Sequence, residues 1–103
     1  MSIPYEGRKA VYEAAIDCYG TENQLWKAVE EMAELTNEIA KSYRPDRASR
    51  EALVDELADV TIMVEQLRLI FGVNDAVQDR MDFKVRRLAD RVGMSYIREV
   101  PHV

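Results

Sequence analysis

The stretch ELADVTIMVEQL, residues 56–67, changes from acidic to apolar along one helix face, and this change decides how the rest of the chain is interpreted. On a helix, residues three or four apart share a face, so Met63 and Leu67 extend the line that begins at Glu56 and Asp59. Charged side chains on a surface helix normally lie opposite the apolar stripe. A carboxylate at the edge of a core is costly unless a cation or a hydrogen-bond donor pairs with it. The stretch therefore predicts a helix whose apolar face becomes acidic and needs a positive partner.

A second acidic group lies upstream in ENQLWKAVEEMAEL, residues 22–35. Glu31 and Glu34 are three positions apart and share a helix face, Glu38 is one turn further along it, and Glu30 points to the side. Glu31 also borders the apolar stripe of its helix. If the two helices pack antiparallel across KSYRPDRAS, four carboxylates converge. The repulsion between their negative charges is usually neutralised by one or two divalent cations.

Turn-forming residues divide the chain into four helical segments, which predicts an all-α, four-helix-bundle-like fold. The first helix is expected from Tyr5 to Tyr19. The second begins at TENQ, where Thr21 and Gln24 match a capping box, and ends before Arg44-Pro45. Its apolar face is predicted to consist of Leu25, Val29, Met32, Thr36, Ile39 and Tyr43.

The third helix is expected to follow Ser49 as its N-cap and to stop at Gly72. The fourth is expected to follow Asn74 as its N-cap and to end before Gly93. Residues 94–103 alternate weakly and are expected to form an extended arm that packs on a partner subunit. Residues 1–103 are predicted to be one domain, and the small core expected of so short a chain favours completion of the bundle by oligomerisation.

Composition excludes several classes of function. Hydrophobic residues make up 48% and charged residues 32% of the 103 residues, as in folded soluble proteins. The net charge of -5 argues against binding a nucleic-acid polymer. No apolar run approaches the roughly 18 residues that cross a bilayer, and the N-terminus lacks a signal-peptide pattern. Cys18 is the only cysteine, which favours a reducing cytoplasm, and His102 is the only histidine. Metal ligands must therefore be oxygens, which select Mg²⁺ or Mn²⁺.

EMAE, residues 31–34, followed after 21 residues by ELAD, residues 56–59, resembles the ExxE…ExxD signature of the MazG-like, all-α nucleoside triphosphate pyrophosphohydrolases. The flanking sequence is also similar, and the resemblance covers about residues 21–92. It implies cleavage of a (d)NTP between the α- and β-phosphates, in a house-cleaning or nucleotide-pool role. It also implies that Mg²⁺ is held by Glu31, Glu34, Glu56 and Asp59.

A carboxylate left partly free in such a site is expected to act as the general base, and both Glu34 and Glu38 are candidates. The resemblance also implies that a lysine and a polar or basic partner on the fourth helix bind phosphates, as Lys84 and Arg87 would. The alternative is that both are cations favoured by the C-terminal end of the helix dipole. Trp26 is a candidate for stacking on the nucleotide base, or alternatively a core or subunit-contact aromatic.

Two other functions compete with the enzyme. One is a non-catalytic helical assembly protein on the same scaffold. The other is a ferritin-type metal–carboxylate bundle, which is discounted because it requires a Glu-x-x-His motif on each of two helices, whereas His102 is the only histidine. The family resemblance implies a homodimer or homotetramer.

Overall fold

The computed structural model describes residues 1–101, and within that range the prediction of an all-α fold is confirmed, with no strand present. The four helices are α1 (Tyr5–Tyr19), α2 (Thr21–Lys41), α3 (Arg50–Ile70) and α4 (Asn74–Arg91). They fall into two compact units, Met1–Gly72 and Val73–Val103, each of which is described by itself. None of the helices in the described part combines the length and the hydropathy needed to span a bilayer.

The junction between α1 and α2 is a single residue, Gly20, whose φ of 88° lies in the region that favours glycine. Gly20 is the N-cap of α2, and Thr21 is already helical. The predicted capping box at Thr21 and Gln24 is therefore wrong, because no side chain caps this helix. The side chain of Gln24 points to α3 instead, where its Nε2 donates a 2.7 Å hydrogen bond to Oε1 of Gln66.

Helices α2 and α3 form the main helix pair of the first unit and run antiparallel. Gln24, near the start of α2, contacts Gln66 near the end of α3, and Glu31 lies beside Asp59 further along the pair. The predicted N-cap of α3 is confirmed, since Oγ of Ser49 accepts a 3.1 Å hydrogen bond from the backbone N–H of Ala52.

Helix α1 is fastened to α3 by a partly buried polar cluster. Nη2 of Arg8 lies 2.9 Å from Oε2 of Glu65, and the buried hydroxyl of Tyr12 donates a 2.6 Å hydrogen bond to Oε1 of the same carboxylate. With Ala28 of α2 and Met63 of α3, Tyr12 supplies the buried apolar core of this unit.

The buried face of α2 differs from the predicted one. The residues buried along this helix are Gln24, Ala28 and Glu31. Apart from the half-buried Leu25, the expected apolar stripe is exposed instead, with Val29 at 55% and Ile39 at 46% of their full accessibility. The prediction chose the stripe with the larger side chains, whereas α3 packs against the face that carries a small residue and two polar ones.

The second unit contains α4 and the segment that follows it. Val73, not Asn74, is the N-cap of α4, so the predicted Asn74 cap is wrong. Ala89 is its buried residue, and Arg86 pairs with Glu99 of the following segment. Residues 94–101 have no helix or strand, as expected for the arm, whereas His102 and the last residue of the predicted arm lie outside the described residues.

Candidate functional site

Three of the four predicted metal ligands meet between α2 and α3. Glu31 comes from the middle of α2, while Glu56 and Asp59 come from successive turns of the N-terminal half of α3. One carboxylate oxygen from each of these side chains lies within 4.8 Å of the other two. We call Glu31, Glu56 and Asp59 the carboxylate triad.

The triad is protected from solvent to an extent that is unusual for acidic side chains. Glu31 retains only 5% of its accessibility, and Glu56 and Asp59 are half-buried. Oε2 of Glu31 and Oε2 of Glu56 are both buried without a hydrogen-bond partner. Unpartnered buried carboxylate oxygens are costly, because they have lost hydration and gained nothing in its place. They are also the atoms that a bound cation requires.

Lys27 supplies a positive charge to the triad. Nζ of Lys27 lies 3.0 Å from Oε1 of Glu31, one helical turn away. This hydrogen bond, aided by the charge of the ammonium group, lowers the pKa of Glu31 and raises that of Lys27. Burial opposes the effect on Glu31, but the contact with Lys27 outweighs it.

The other two carboxyls of the triad hold their protons more tightly than usual. Loss of hydration, a hydrogen bond to Glu31 and the charge of Glu34 raise the pKa of Glu56 to about 7. Loss of hydration and the charge of Glu31 also raise the pKa of Asp59. A single ammonium group therefore does not compensate for three crowded acids, and the triad retains an excess of negative charge to attract a further cation.

The chemistry and spacing of these groups fit a hard divalent cation. Such ions bind carboxylate oxygens at about 2.0–2.6 Å, so two ligand oxygens of one ion lie at most about 4–5 Å apart. The triad oxygens all lie within 4.8 Å of one another, which is close to the spacing that the ligands of one such ion require. The donor set is purely oxygen, which suits Mg²⁺ or Mn²⁺.

The remaining predicted acids on α2 lie outside the triad. Glu34 is exposed, but it is close enough to raise the pKa of Glu56 through its charge. Glu38 is half-buried, and its Oε1 lies 3.2 Å from Nζ of Lys41. Glu34 therefore lies beside the triad in contact with Glu56, whereas Glu38 is held in an ion pair.

A groove of about 680 Å³ in the first unit has two triad members, Glu31 and Asp59, in its walls. Tyr19, Asn23 and Trp26 also line it. Trp26 is 63% exposed, so its ring is available to a ligand. The structure thus brings together an aromatic surface and an acidic cluster, with the predicted Trp26 in the same groove as the predicted metal ligands.

Sequence reasoning missed two residues of this groove. No role was predicted for Lys27, although its position four residues before Glu31 is a recognisable ion-pair spacing. Gln66, one of the partners in the buried amide pair with Gln24, was not considered. Its spacing of seven residues from Asp59 places it on the same face of α3, which was the available signal.

The predicted phosphate-binding residues lie on α4, in the second unit. Lys84 and Arg87 are both exposed, and the guanidinium carbon of Arg87 lies 5.9 Å from the centroid of the Phe83 ring. Their role toward phosphate stays a prediction.

No protein-family model, curated protein or solved structure matches this chain. The assignment of a function therefore depends on the geometry of the triad and its groove, together with the resemblance in the sequence.

Proposed function

We propose that this protein is a Mg²⁺-dependent nucleotide pyrophosphohydrolase of the MazG-like type. It would cleave a (d)NTP between the α- and β-phosphates, giving a monophosphate and pyrophosphate, in a house-cleaning or nucleotide-pool role. The observation that carries the proposal is the pair of buried, unpartnered carboxylate oxygens of Glu31 and Glu56 within the triad. The ExxE…ExxD spacing of the sequence supports the same conclusion.

The residues of the first unit supply the parts that this reaction needs. Glu31, Glu56 and Asp59 would hold the cation, with Glu34 as a further ligand at the edge of the triad. When bound, Mg²⁺ neutralises phosphate oxygens and lowers the pKa of a coordinated water. An acidic groove can accept a triphosphate only after such neutralisation, which explains why a groove with carboxylates in its wall suits an anionic substrate.

Proton transfer and base binding fall to residues around the triad. Glu34 is the better candidate for the general base, because its carboxylate lies beside Glu56 and is not engaged as Glu38 is by Lys41. Trp26 and Tyr19 offer aromatic faces on which a nucleobase can stack. Lys84 and Arg87 remain the proposed phosphate ligands from α4.

We further propose a homodimer or homotetramer in the cytoplasm. The exposed apolar stripe of α2, which includes Val29, Met32 and Ile39, supports association, since burying such a surface is favourable. The same stripe favours the second candidate, a non-catalytic helical assembly protein. The free thiol of Cys18 suits a reducing compartment.

A panel of nucleoside triphosphates incubated with Mg²⁺ tests the function. We expect monophosphate and pyrophosphate as products, resolved by ion-exchange chromatography. Asp59→Asn should reduce turnover at least roughly a hundredfold, as is common when a charge-stabilising group of an active site is removed. Asp55→Asn is the matched control, because Asp55 is exposed and outside the triad. Release of inorganic phosphate and a diphosphate would refute the cleavage site, and no turnover of any triphosphate would favour the assembly protein.

A further inference from the structure

The ion pair between Lys27 and Glu31 joins two side chains in very different surroundings. The Glu31 side chain is 7% exposed, whereas that of Lys27 is 53% exposed. Glu31 is therefore fixed within the helix pair, while the ammonium group can leave the pair and be hydrated at little cost. The contact therefore joins a fixed carboxylate of the triad, Glu31, to a lysine that can exchange its partner.

The positions of the two Glu31 oxygens make this contact relevant to metal binding. Oε1 is occupied by Lys27, and Oε2 is buried without a partner. A divalent cation bound by the triad would lie within a few ångströms of the ammonium group, and the two positive charges would repel each other. Because Lys27 compensates part of the triad's charge, it also weakens the attraction of the triad for any second cation.

The groove offers the Lys27 ammonium group a second position once it has left Glu31. Lys27 lines the groove that contains Trp26 and Asn23, so the displaced ammonium group stays on the path of a ligand that occupies the groove. An ordinary lysine ammonium group is charged at neutral pH, so the side chain carries its positive charge in either position. A triphosphate carries more negative charge than one divalent cation neutralises, so a charged lysine at this position has an electrostatic partner.

We propose that Lys27 is an exchangeable counter-ion: it pairs with Glu31 while the triad lacks metal, and moves to a phosphate of the bound nucleotide once a divalent cation takes its place. The inference rests on the proposed function for its second step, whereas its first step concerns only the cation and the triad. Lys27 thus belongs to the site in both states, first as the partner of Glu31 and then as a phosphate ligand.

Two binding measurements test the two steps, and neither depends on turnover. The first is calorimetric titration of the metal-free protein with Mn²⁺ alone. Lys27→Met should bind Mn²⁺ roughly tenfold more tightly than the wild type, since a neighbouring positive charge has been removed. Lys27→Arg should stay close to the wild type. Lys9→Met is the matched control, because Lys9 forms the same i,i+4 pair with Glu13 on α1, outside the triad.

The second measurement titrates the Mn²⁺-saturated protein with an α,β-methylene nucleoside triphosphate. Here Lys27→Met should bind the analogue roughly tenfold more weakly, Lys27→Arg should recover most of the affinity, and Lys9→Met should match the wild type. Opposite effects of one substitution on the two ligands distinguish an exchange of partners from a structural role, which would weaken both.

Equal Mn²⁺ affinity in the wild type and Lys27→Met would overturn the counter-ion step. Equal affinity for the analogue, or none in the wild type, would overturn the phosphate step. Absence of turnover in a wild type that binds both ligands would instead count against the proposed reaction and leave the exchange established.

Discussion

Replacing Asp59 by asparagine should stabilise the metal-free protein. The Asp59 oxygen lies within 4.8 Å of oxygens of Glu31 and Glu56. Two unit charges at that distance repel each other by about 3.5 kcal/mol at an effective dielectric constant of about 20. Loss of the attraction between Asp59 and Lys27, together with solvent screening, offsets part of this gain. We therefore expect the free energy of unfolding to increase by about 1–2 kcal/mol at pH 8, which lies above the Glu56 pKa of about 7.

Urea unfolding followed by circular dichroism at 222 nm, with a chelator present and at fixed protein concentration, measures this change. Asp46→Asn is the control, because Asp46 is exposed in the turn between α2 and α3 and outside the triad, and its effect should remain within about 0.5 kcal/mol. Stabilisation is unusual for a substitution at a half-buried position, so the sign is informative. A loss of stability in Asp59→Asn, or a gain no larger than that of Asp46→Asn, would refute the claim that the triad is strained by its own charge.

Three further predictions concern the first unit. Tyr12→Phe should lower the free energy of unfolding by about 1.5–3 kcal/mol in urea, because it removes a hydrogen bond to the Glu65 carboxylate, whereas Tyr19→Phe, at an exposed position, should change it little. The hydrogen bond from Arg8 lowers the pKa of Glu65 below its usual 4.5, so its contribution to stability is present above pH 4.5 and is lost as the pH falls through the lower, folded-state pKa. In a pH series, Glu65→Gln should therefore lose less stability than the wild type below pH 4.5, and parallel curves would contradict this. Ser49→Ala should cost about 1 kcal/mol through loss of the α3 cap, and an unchanged urea midpoint would show that the cap is not stabilising.

The extent of the helices could largely be predicted from the sequence, because residues that strongly disfavour helix are few. The bounds of α1 and the Ser49 cap follow from local chemistry that the rest of the fold does not override. The caps at Thr21 and Asn74 were mispredicted by one residue. In both cases a residue with a suitable side chain was already the first of the helix, so the backbone of the preceding residue took the cap position.

The buried face of α2 was harder to predict than its extent. Periodicity alone favours the stripe with Val29 and Ile39, because those side chains are the more apolar. The helix instead buries Ala28 and Glu31 against α3. A small residue allows close approach of two helices. The side-chain amides of Gln24 and Gln66 can form their hydrogen bond only when the two helices meet. Neither effect is visible until the partner helix is known.

The triad was predictable in part for a related reason. Glu56 and Asp59 interrupt an apolar stripe, and that anomaly is visible within one helix. The inclusion of Glu31 required the further assumption that α2 and α3 are antiparallel, which the short, proline-containing turn between them favoured. The ion pair between Lys27 and Glu31 was not predicted, because the burial of Glu31 against α3 could not be inferred from α2 alone.

The central claim is that the triad of Glu31, Glu56 and Asp59 binds a divalent cation. Titrating the metal-free protein with Mn²⁺ and following the electron paramagnetic resonance signal of the free ion tests it most directly. We predict saturable binding by the wild type, its loss in Glu56→Gln, and its retention in Glu51→Gln, a control of the same chemistry at an exposed position one turn and a half earlier on α3. A wild type that leaves all the Mn²⁺ free, or a Glu56→Gln variant that binds it as the wild type does, would contradict the account.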